Sequence, residues 1–458
     1  MDDSQEKNDV HLDAPPTDKR RARRAAAGAY VGTSIEFYDF FVFATASALV
    51  FGDVFFPTVE NPFLGTMAAF ATFGVGFVFR PLGGLIFGPL GDKYGRKPIL
   101  ITTLLIMGGA TFAVGLVPSY ESWGIFAPLA LVFLRLIQGL AIGGEWGGAA
   151  TISTESAPSN RRYFYGSFTQ LGSPTGTVLS SGMFALAAMG GDEVLRDWAW
   201  RVPFLFAGVL LIVSLIVRAR LEESPEFEKH VDKSAPKKAT TSLIDTLKNN
   251  WQSILAGSAA TAVGVGGFYI TGTLFLSYAT TTVGLSDGPL LTAQTIAAAT
   301  SFISFPLLSL VADLKGPRVV IMWSLVAVAV AATPHFLIAD TGSFSLIAMM
   351  LSISQTAQAG AWACIPALLR KMFDPEVRYT GMSISYQLSS VVFGGLMPMV
   401  GAGLLAITGG SPSLAIVLLV VLVAINIIGV LASLSIIRKR DARNEPNSSL
   451  HVEPTIGE

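Results

Sequence analysis

The chain has 458 residues, of which 51% are hydrophobic and 14% are charged, and its mean hydropathy is +0.56. Soluble domains carry roughly a quarter charged residues, so this composition excludes an ordinary soluble protein and favours one with many membrane spans. A formal net charge of -1 leaves no basic excess to neutralise a run of phosphates, which excludes a nucleic-acid-binding protein. The single cysteine, Cys364, excludes a disulfide framework and a metal site built from several cysteines.

The first half of the chain contains six segments long enough to cross a bilayer. A hydrocarbon core of roughly 30 Å takes about 20 helical residues, so long stretches without Asp, Glu, Lys or Arg are candidate spans. Three such runs, and three apolar segments interrupted by isolated charges, predict spans at 25–52, 61–91, 98–120, 122–154, 163–191 and 202–217.

A polar segment, 221–250, separates these spans from six others. It is rich in Lys and Glu and contains Pro225 and Pro236, which predicts a long loop that holds at most a short surface helix. Beyond it, charge-free runs predict spans at 249–286, 288–312, 319–339, 341–369 and 379–437. The last run is long enough for two spans folded at the GGSPS turn of 409–413. The sequence therefore predicts an all-α membrane protein with twelve transmembrane helices.

Basic residues are distributed unevenly among the connecting segments. If both termini face the cytoplasm, most of the 31 Lys and Arg residues lie in cytoplasmic segments, and only Arg196 and Arg201 lie outside. The positive-inside rule therefore predicts that both termini are cytoplasmic. No cleavable signal peptide is expected, because the first 24 residues are polar and the apolar run that follows is a full span.

The two halves share a weakly similar internal sequence repeat. The loop after the second span reads GPLGDKYGRK (88–97), and the loop after the eighth reads SLVADLKGPR (309–318), with an Asp, a Gly and a basic residue in register. A second pair, APSNRRYFYG (157–166) and DPEVRYTG (374–381), shares a Pro and an Arg. Two pseudo-symmetric six-helix halves are typical of secondary transporters. The expected units are an N-terminal tail (1–24), a first half (25–220), a central cytoplasmic loop (221–250), a second half (251–437) and a C-terminal tail (438–458).

Several motifs make the sequence resemble the major facilitator superfamily and, within it, the metabolite:proton symporter family, over nearly the whole chain. The GPLGDKYGRK loop alone would indicate only the superfamily. The more specific motifs are IEFYDF (35–40), RPLGG (80–84), RLIQGLAIGGEWGGA (135–149), DWAWRVPF (197–204) and EESPEF (222–227). The resemblance implies alternating-access transport of a compound such as shikimate, a di- or tricarboxylate, proline or betaine.

The loop at 88–97 is interpreted as a conformational latch. A tight turn needs Gly95, and a carboxylate such as Asp92 can cap a helix N-terminus, while the basic residues hold the loop at the cytoplasmic surface. The resemblance implies that the loop engages helix ends near Glu155 and Arg378 in the outward-facing state. The alternative is a turn that only sets topology. The residues assigned to the latch are Gly88, Asp92, Gly95, Arg96, Lys97, Glu155, Asp313 and Arg378.

Five ionisable side chains are predicted to lie within spans: Glu36, Asp39, Arg80, Arg135 and Glu145. Each would cost roughly 2.5–3.5 kcal/mol if it faced lipid, so these groups should face a cavity or one another. Glu36 and Asp39 are three residues apart and share a helical face. Counted along the helix axis, Arg135 lies at a similar depth, which makes an ion pair between the first and fourth spans available.

The charges of this set predict proton coupling. Three carboxylates and two guanidiniums leave one carboxylate without a fixed partner, and burial favours its protonated form. We therefore expect Glu36 or Asp39 to carry the proton, and Arg135 either to hold that carboxylate or to bind a substrate carboxylate. Glu145, among glycines, is either a further proton site or a packing residue. Arg80 is either a substrate contact or an interfacial residue.

Two further expectations concern packing and the second half. Gly139 and Gly143, like Gly144 and Gly148, have the GlyxxxGly spacing that lets helix backbones approach closely. No Asp, Glu, Lys or Arg lies in the interior of a second-half span, so this half should supply hydrogen bonds and aromatic surface.

His335 is expected at an interface near an external helix end. The expected substrate contacts, partly because the resemblance implies that the seventh and tenth spans line the cavity, are Tyr38, Arg80, Arg135, Tyr269, Gln358 and Trp362.

The sequence predicts a proton-coupled importer of a small organic acid, shikimate-like or a di- or tricarboxylate, in the plasma (inner) membrane. The alternatives are a proline/betaine-type zwitterion symporter, an organic-anion exchanger or exporter, and a non-transporting membrane sensor. The sequence contains no GxxxxGK[ST] stretch, nucleophile motif or metal-ligand cluster, so no enzyme activity, cofactor or metal is expected. The expected partners are the organic anion, protons and the bilayer, with no nucleic acid, and the expected state is a monomer.

Overall fold

The computed structural model describes residues 19–59, 61–94, 96–143, 145–219, 243–374 and 377–444, and these residues are almost entirely helical, with no strand among them. We number the twelve long helices α1 to α12. Those of the first half are α1 (Lys19–Leu49), α2 (Pro62–Tyr94), α3 (Arg96–Val114), α4 (Phe126–Ile142, continued by Glu145–Glu155), α5 (Arg162–Gln170, continued by Gly172–Ala187) and α6 (Arg201–Ala219).

The second half repeats this arrangement of six helices. They are α7 (Leu243–Ala260, continued by the π-helical turns Val263–Gly267 and Tyr269–Leu274 and by Phe275–Thr281), α8 (Asp287–Lys315), α9 (Pro317–Leu337), α10 (Phe344–Ala363, continued by Ile365–Met372), α11 (Arg378–Ser389, the π-helical turn Ser390–Gly395, and Leu396–Ile407) and α12 (Ser413–Asn444). The predicted all-α fold of twelve helices in two halves is confirmed.

The outside of the bundle is apolar and its interior contains the charges. Trp323 and Val330 on α9 are 70% and 73% exposed, whereas Asp39 and Arg135 are 3% and 2% exposed. By length and composition alone, seven of the described helices could cross a membrane, or up to eight if one bent pair counts as a single span. Others have shorter apolar parts, such as Arg201–Ile216. This inverted distribution is that of a multi-pass membrane protein.

The connections follow the turn signals in the sequence. Gly409 and Gly410 have φ angles of 61° and 93°, a backbone conformation that favours glycine, so the chain reverses between α11 and α12 within the predicted turn. Most of the central polar segment lies outside the described residues. Where the description resumes, α7 begins with a short helical stretch and kinks at Asn250, whose φ is -121°.

Glycines bring the backbones of α2 and α4 into direct contact. A Cβ atom on Gly139 would lie 2.1 Å from the carbonyl oxygen of Gly76, and a Cβ on Gly83 would lie 1.9 Å from that of Leu140. No side chain larger than hydrogen fits at these points, which agrees with the expected packing role of Gly139. The nearest contact of a Cβ on Gly148 would be ordinary, at 3.5 Å from Tyr379.

We expect Gly139→Ala to lower the stability of the purified protein by about 1–3 kcal/mol, because the new methyl group must push two helix backbones apart. The measurement is thermal unfolding in detergent. Gly109→Ala on α3 is the matched control, since a Cβ there would meet nothing within 4 Å. Equal unfolding temperatures for the two variants would contradict the contact.

Candidate functional site

Side chains from α1, α2 and α4 line a narrow crevice near the middle of these helices. We call it the arginine crevice. Its lining residues are Phe40, Phe73, Gly76, Phe77, Arg80, Arg135, Gln138, Gly139 and Ile142. The buried carboxyl group of Asp39 adjoins it, with its Oδ2 4.0 Å from Arg135 Nη1. The ion pair expected between the first and fourth spans therefore exists in the structure.

An amide group stands within this ion pair. Arg135 Nη1 donates to Gln138 Oε1 at 2.9 Å, and Gln138 Nε2 lies 3.4 Å from Asp39 Oδ1. The same Nε2 donates to Thr111 Oγ1 at 2.7 Å, which ties α3 into the network. The sequence predicted the two charged residues but not Gln138 or Thr111.

A second pair of charges lies beside the first. Glu36, three residues before Asp39 on α1, is 1% exposed and interacts electrostatically with Arg80 and with Asp39. Arg80 is also 1% exposed, so it does not reach the bundle surface as an interfacial arginine would. Four of the five predicted intramembrane ionisable residues thus meet in one place. The side chain of the fifth, Glu145, lies outside the described part.

Phenylalanine rings cover both guanidiniums. Arg80 Cζ lies 3.9 Å from the ring centroids of Phe40 and of Phe77, and Arg135 Cζ lies 3.8 Å from that of Phe43. Such desolvated cation–π contacts contribute about 2 kcal/mol each. Among the described residues, Arg80 Nε, Arg135 Nε and Arg135 Nη2 find no acceptor.

Tyr269 extends from the second half towards this crevice. It is buried on a π-helical turn of α7, and its ring centroid lies 5.3 Å from that of Phe73 and 6.2 Å from that of Phe77. It also interacts electrostatically with both Arg80 and Arg135. Tyr269 is therefore the predicted second-half contact that the structure brings to the site.

Three other predicted substrate contacts lie elsewhere. The Tyr38 hydroxyl donates to the carbonyl oxygen of Pro203 at 2.5 Å, so Tyr38 joins α1 to the start of α6 and does not line the crevice. Gln358 belongs to a separate cluster in the second half. Trp362 lies between the halves, where its carbonyl oxygen accepts a hydrogen bond from Gln170 Nε2 at 3.3 Å.

That separate cluster surrounds His335, in a second narrow crevice. His335 Nε2 lies 2.8 Å from the carbonyl oxygen of Thr271 and must donate to it, so Nδ1 accepts from the Ser354 hydroxyl at 2.8 Å. Gln358 Nε2 donates to Thr271 Oγ1 at 2.9 Å. The expectation of an interfacial His335 is wrong, because its ring is buried and its partners come from α7 and α10. Within the described ranges, no group of three or more His, Cys, Asp or Glu could hold a metal ion.

Comparison with known proteins places this architecture in a family. The family model of the Major Facilitator Superfamily matches residues 29–389. The chain belongs to this superfamily. It is accordingly a membrane transporter of the secondary type rather than an enzyme.

Curated relatives and solved structures agree with this membership. The chain is 40% identical to the shikimate transporter of Escherichia coli (strain K12) over 393 residues, which cover 85% of this chain and 90% of that protein. It is 35% identical to the proline/betaine transporter of the same strain over 402 residues, covering 84% and 78%. The fold resembles a partially occluded inward-open structure of the xylose transporter XylE from E. coli, with a TM-score of 0.66 at 16% identity, covering 91% and 97%.

In this superfamily member, two polar contacts join the halves at the end of the bundle where α1 begins and α12 ends, which we call the terminal end. Arg378 Nη1 donates to Glu155 Oε1 at 2.6 Å. Asp313 of α8 accepts hydrogen bonds from the backbone N–H groups of Tyr163 and Phe164, at 3.0 and 2.9 Å, and so caps the start of α5 across the interface.

The remaining latch residues lie in or beside the undescribed turn. Gly95 lies outside the described residues, and the structure does not describe the side chains of Asp92, Arg96 and Lys97. Gly88 lies within α2, before that turn. Their latch role stays a prediction.

An aromatic stack lies deeper at the same end. The rings of Trp146 on α4 and Tyr386 on α11 are stacked with centroids 4.1 Å apart, and Trp146 Nε1 donates to Gln170 Oε1 at 3.0 Å. The backbone of α4 comes close here, since a Cβ on Gly147 would lie 1.9 Å from Ser383 Oγ. This stack joins the two halves between the arginine crevice and the terminal end. The sequence contained Trp146 within a family motif but gave it no role.

At the opposite end, an ion pair joins the halves. Arg196, in the π-helical turn Leu195–Ala199 before α6, donates from Nη2 to Asp287 Oδ2 at 3.0 Å, and its Nε lies 3.5 Å from Asp53 Oδ2. Asp287 begins α8 and is fully buried. A buried carboxylate whose partner comes from the other half favours closure of this end.

We expect Arg196→Gln to open the opposite end more often, because Asp287 would lose its charged partner. A Cys at Ala188, whose Cβ lies 3.7 Å from where a Cβ on Gly288 of the other half would lie, should react with a membrane-impermeant maleimide about tenfold faster in this variant, as for an interaction of about 1.4 kcal/mol. The background is Cys364→Ser, which removes the native thiol.

Arg201→Gln is the matched control for that labelling. Arg201 begins α6, next to the same connection, and donates to the carbonyl oxygens of Gly115 and Val117, within the first half. Its loss should leave the labelling rate of the Cys at Ala188 unchanged. Equal acceleration by both variants would mean that the Arg196 contact does not control opening.

Proposed function

We propose that this transporter imports a small organic anion together with protons across the inner (plasma) membrane by alternating access. The observation that supports it most is the arginine crevice beside Asp39, where two buried guanidiniums contain three N–H donors without described acceptors. An unmet buried donor costs about 1–3 kcal/mol, and more when it is charged, so such a site favours an anionic ligand.

The environment of the arginines favours an organic acid over a quaternary ammonium compound. A betaine carrier needs aromatic faces for its cation. Here guanidiniums already cover the rings of Phe40, Phe43 and Phe77. A relative named as a shikimate transporter is 40% identical and one named as a proline/betaine transporter is 35% identical, which supports the same choice.

Charge balance supports coupling to protons. With all four side chains ionised, Glu36 and Asp39 balance Arg80 and Arg135. A bound monocarboxylate adds one negative charge to this low-dielectric site, and one proton on a carboxylate restores neutrality. Asp39 is our preferred carrier, because it is linked to Arg135 through Gln138. One proton per monocarboxylate follows from this balance.

The gates follow from the orientation predicted by the basic residues. With both termini cytoplasmic, the terminal end is the cytoplasmic gate, closed by the Trp146–Tyr386 stack and the Glu155–Arg378 pair. The capping contact of Asp313 on α5 supports an equivalent contact of Asp92, its repeat counterpart, on the start of α11. The proposed division of the chain keeps the halves at 25–220 and 251–437, the loop at 221–250 and the tails at 1–24 and 438–458.

The test is uptake by proteoliposomes containing the purified full chain, with and without an outward-acidic pH difference. The compounds are radiolabelled shikimate, a C4-dicarboxylate and glycine betaine. We expect an organic acid to accumulate only when the pH difference is imposed. Accumulation of betaine alone would contradict the substrate class, flux only against internal substrate would indicate an exchanger, and binding without flux would indicate a sensor.

A further inference from the structure

The side-chain amide of Gln138 has a defined orientation in the arginine crevice. A guanidinium can only donate hydrogen bonds, so the group of Gln138 that faces Arg135 Nη1 at 2.9 Å must be the carbonyl oxygen. The NH₂ group therefore faces Asp39 Oδ1 at 3.4 Å and Thr111 Oγ1 at 2.7 Å. This orientation suits an ionised Asp39, which only accepts.

A protonated Asp39 reverses this requirement. The guanidinium of Arg135, whose Nη1 lies 4.0 Å from Asp39 Oδ2, disfavours a proton on that oxygen, so the proton binds Oδ1, which faces the amide NH₂ of Gln138 at 3.4 Å. The NH₂ group and the new O–H group are then two donors that oppose each other. A half-turn of the amide about its last torsion places the carbonyl oxygen beside Asp39, and because the oxygen and nitrogen are nearly equal in size, no neighbour has to move.

We propose that Gln138 is the positioning residue that couples protonation of Asp39 to the release of Arg135, by turning its amide when the proton arrives. After the turn, the NH₂ group faces Arg135 Nη1, so two donors oppose each other. Arg135 then has no internal acceptor for Nη1, and this N–H joins Nε and Nη2 as a donor for the substrate carboxylate. The inference rests on the proposed function and names the element that transmits the proton signal.

Thr111 biases this switch towards the ionised state. Its hydroxyl accepts from Gln138 Nε2 and donates to the carbonyl oxygen of Met107 at 3.0 Å, so both of its bonds are satisfied in the observed orientation. If the amide turned, the hydroxyl would face a carbonyl oxygen and would have to give up Met107 in order to donate to it. Removing the hydroxyl should therefore favour the turned amide and the protonated Asp39.

The charged groups around Asp39 are not altered by a substitution at Thr111. The titratable and charged groups described around it are Tyr38 and Glu36 on its own helix, Arg80 on α2, Arg135 on α4 and, beyond the arginines, Tyr269 on α7. The residue of α3 that hydrogen-bonds to Gln138 is the neutral Thr111. A change at Thr111 therefore acts on Asp39 through hydrogen bonds alone, which makes it a clean probe.

The test is an infrared pH titration of the protonated carboxyl band of Asp39 in the purified full chain, assigned by its loss in Asp39→Asn. Thr111→Val keeps the side-chain shape and should move the midpoint about 0.7 pH unit towards alkaline pH, which is a hydrogen bond of about 1 kcal/mol at about 1.4 kcal/mol per unit. In the Gln138→Met background, the same substitution should move the midpoint by less than about 0.2 unit. Thermal unfolding confirms that each variant is folded.

Two outcomes would overturn the switch. One is a midpoint that stays or falls in Thr111→Val. The other is an equal shift with and without Gln138, which indicates that Thr111 acts by packing. The titration needs no substrate, so it is independent of the uptake assay. If the expected shifts occur but neither shikimate nor a dicarboxylate is taken up, the switch is supported and the proposed substrate class is refuted. If an organic acid is taken up but the shifts do not occur, the substrate class is supported and the switch is refuted.

Discussion

Vesicles that contain Asp39→Asn should show no accumulation of the substrate under a pH difference that drives strong accumulation by the unaltered protein. For one proton per anion, a difference of two pH units supports roughly 100-fold accumulation, at about 1.4 kcal/mol per unit. Asparagine has the size and neutrality of protonated Asp39, so the loaded carrier should still change orientation, but no proton enters the cycle. The measurement is the internal concentration of labelled substrate at steady state.

The same vesicles supply the internal check. Exchange of external labelled substrate for internal unlabelled substrate needs only the loaded carrier, so Asp39→Asn should retain it. Glu36→Gln is the matched variant one helical turn away, and it should still accumulate substrate because Asp39 remains. If Glu36→Gln abolished accumulation and Asp39→Asn retained it, Glu36 would be the proton carrier and the preference for Asp39 would be wrong.

The meeting of Asp39 with Arg135 could be predicted because it depends on quantities that a sequence contains. The rise of a helix and the position of a residue within a span fix its depth in the bilayer. Opposite charges at the same depth are expected to pair, because an unpaired charge facing lipid is costly. What depth does not give is the direction in which each side chain points around its helix. For this reason Gln138 and Thr111, which are ordinary polar residues at a similar depth, received no role although they complete the network.

The second-half contacts were harder to predict because α7 is not a regular helix. Each π-helical turn adds a residue, so side chains after Val263–Gly267 and Tyr269–Leu274 no longer follow the 3.6-residue period. The turn that brings Tyr269 to the arginine crevice also holds Thr271, whose backbone carbonyl and hydroxyl groups bind His335 and Gln358. Gln358, which was predicted as a substrate contact, therefore lies in the His335 cluster and not in the arginine crevice.

Contacts between distant segments of the chain could not be predicted from the sequence, for a different reason. Arg196 and Asp287 are 91 residues apart, and neither lies in a motif that indicates pairing. Trp146 and Tyr386 stack across the two halves, yet a sequence shows only that each is aromatic. The cytoplasmic latch was expected because a repeated loop and a family resemblance indicated it, whereas the gate at the opposite end had neither signal.

Replacing Arg135 with Gln is expected to lower stability by about 3–5 kcal/mol, since Asp39 would remain buried and charged without its partner. The double variant Asp39→Asn, Arg135→Gln removes both charges and should recover most of that loss. Thermal unfolding in detergent measures both effects. If Arg135→Gln alone were as stable as the unaltered protein, Asp39 would already be neutral at the pH of the measurement.

Uptake should not follow stability in this series. The double variant lacks the two donors that Arg135 offers to an anion, and a buried hydrogen-bonded charge pair is worth about 2–5 kcal/mol, so we expect at least about a 100-fold loss of substrate affinity despite the restored fold. Arg135→Lys separates charge from geometry: it keeps the counterion of Asp39 and the stability, but a lysine cannot present two parallel N–H groups to a carboxylate. Near-normal affinity in Arg135→Lys would show that the site recognises charge alone, whereas Nε and Nη2 of Arg135, which have no described acceptor, favour recognition by the edge of the guanidinium.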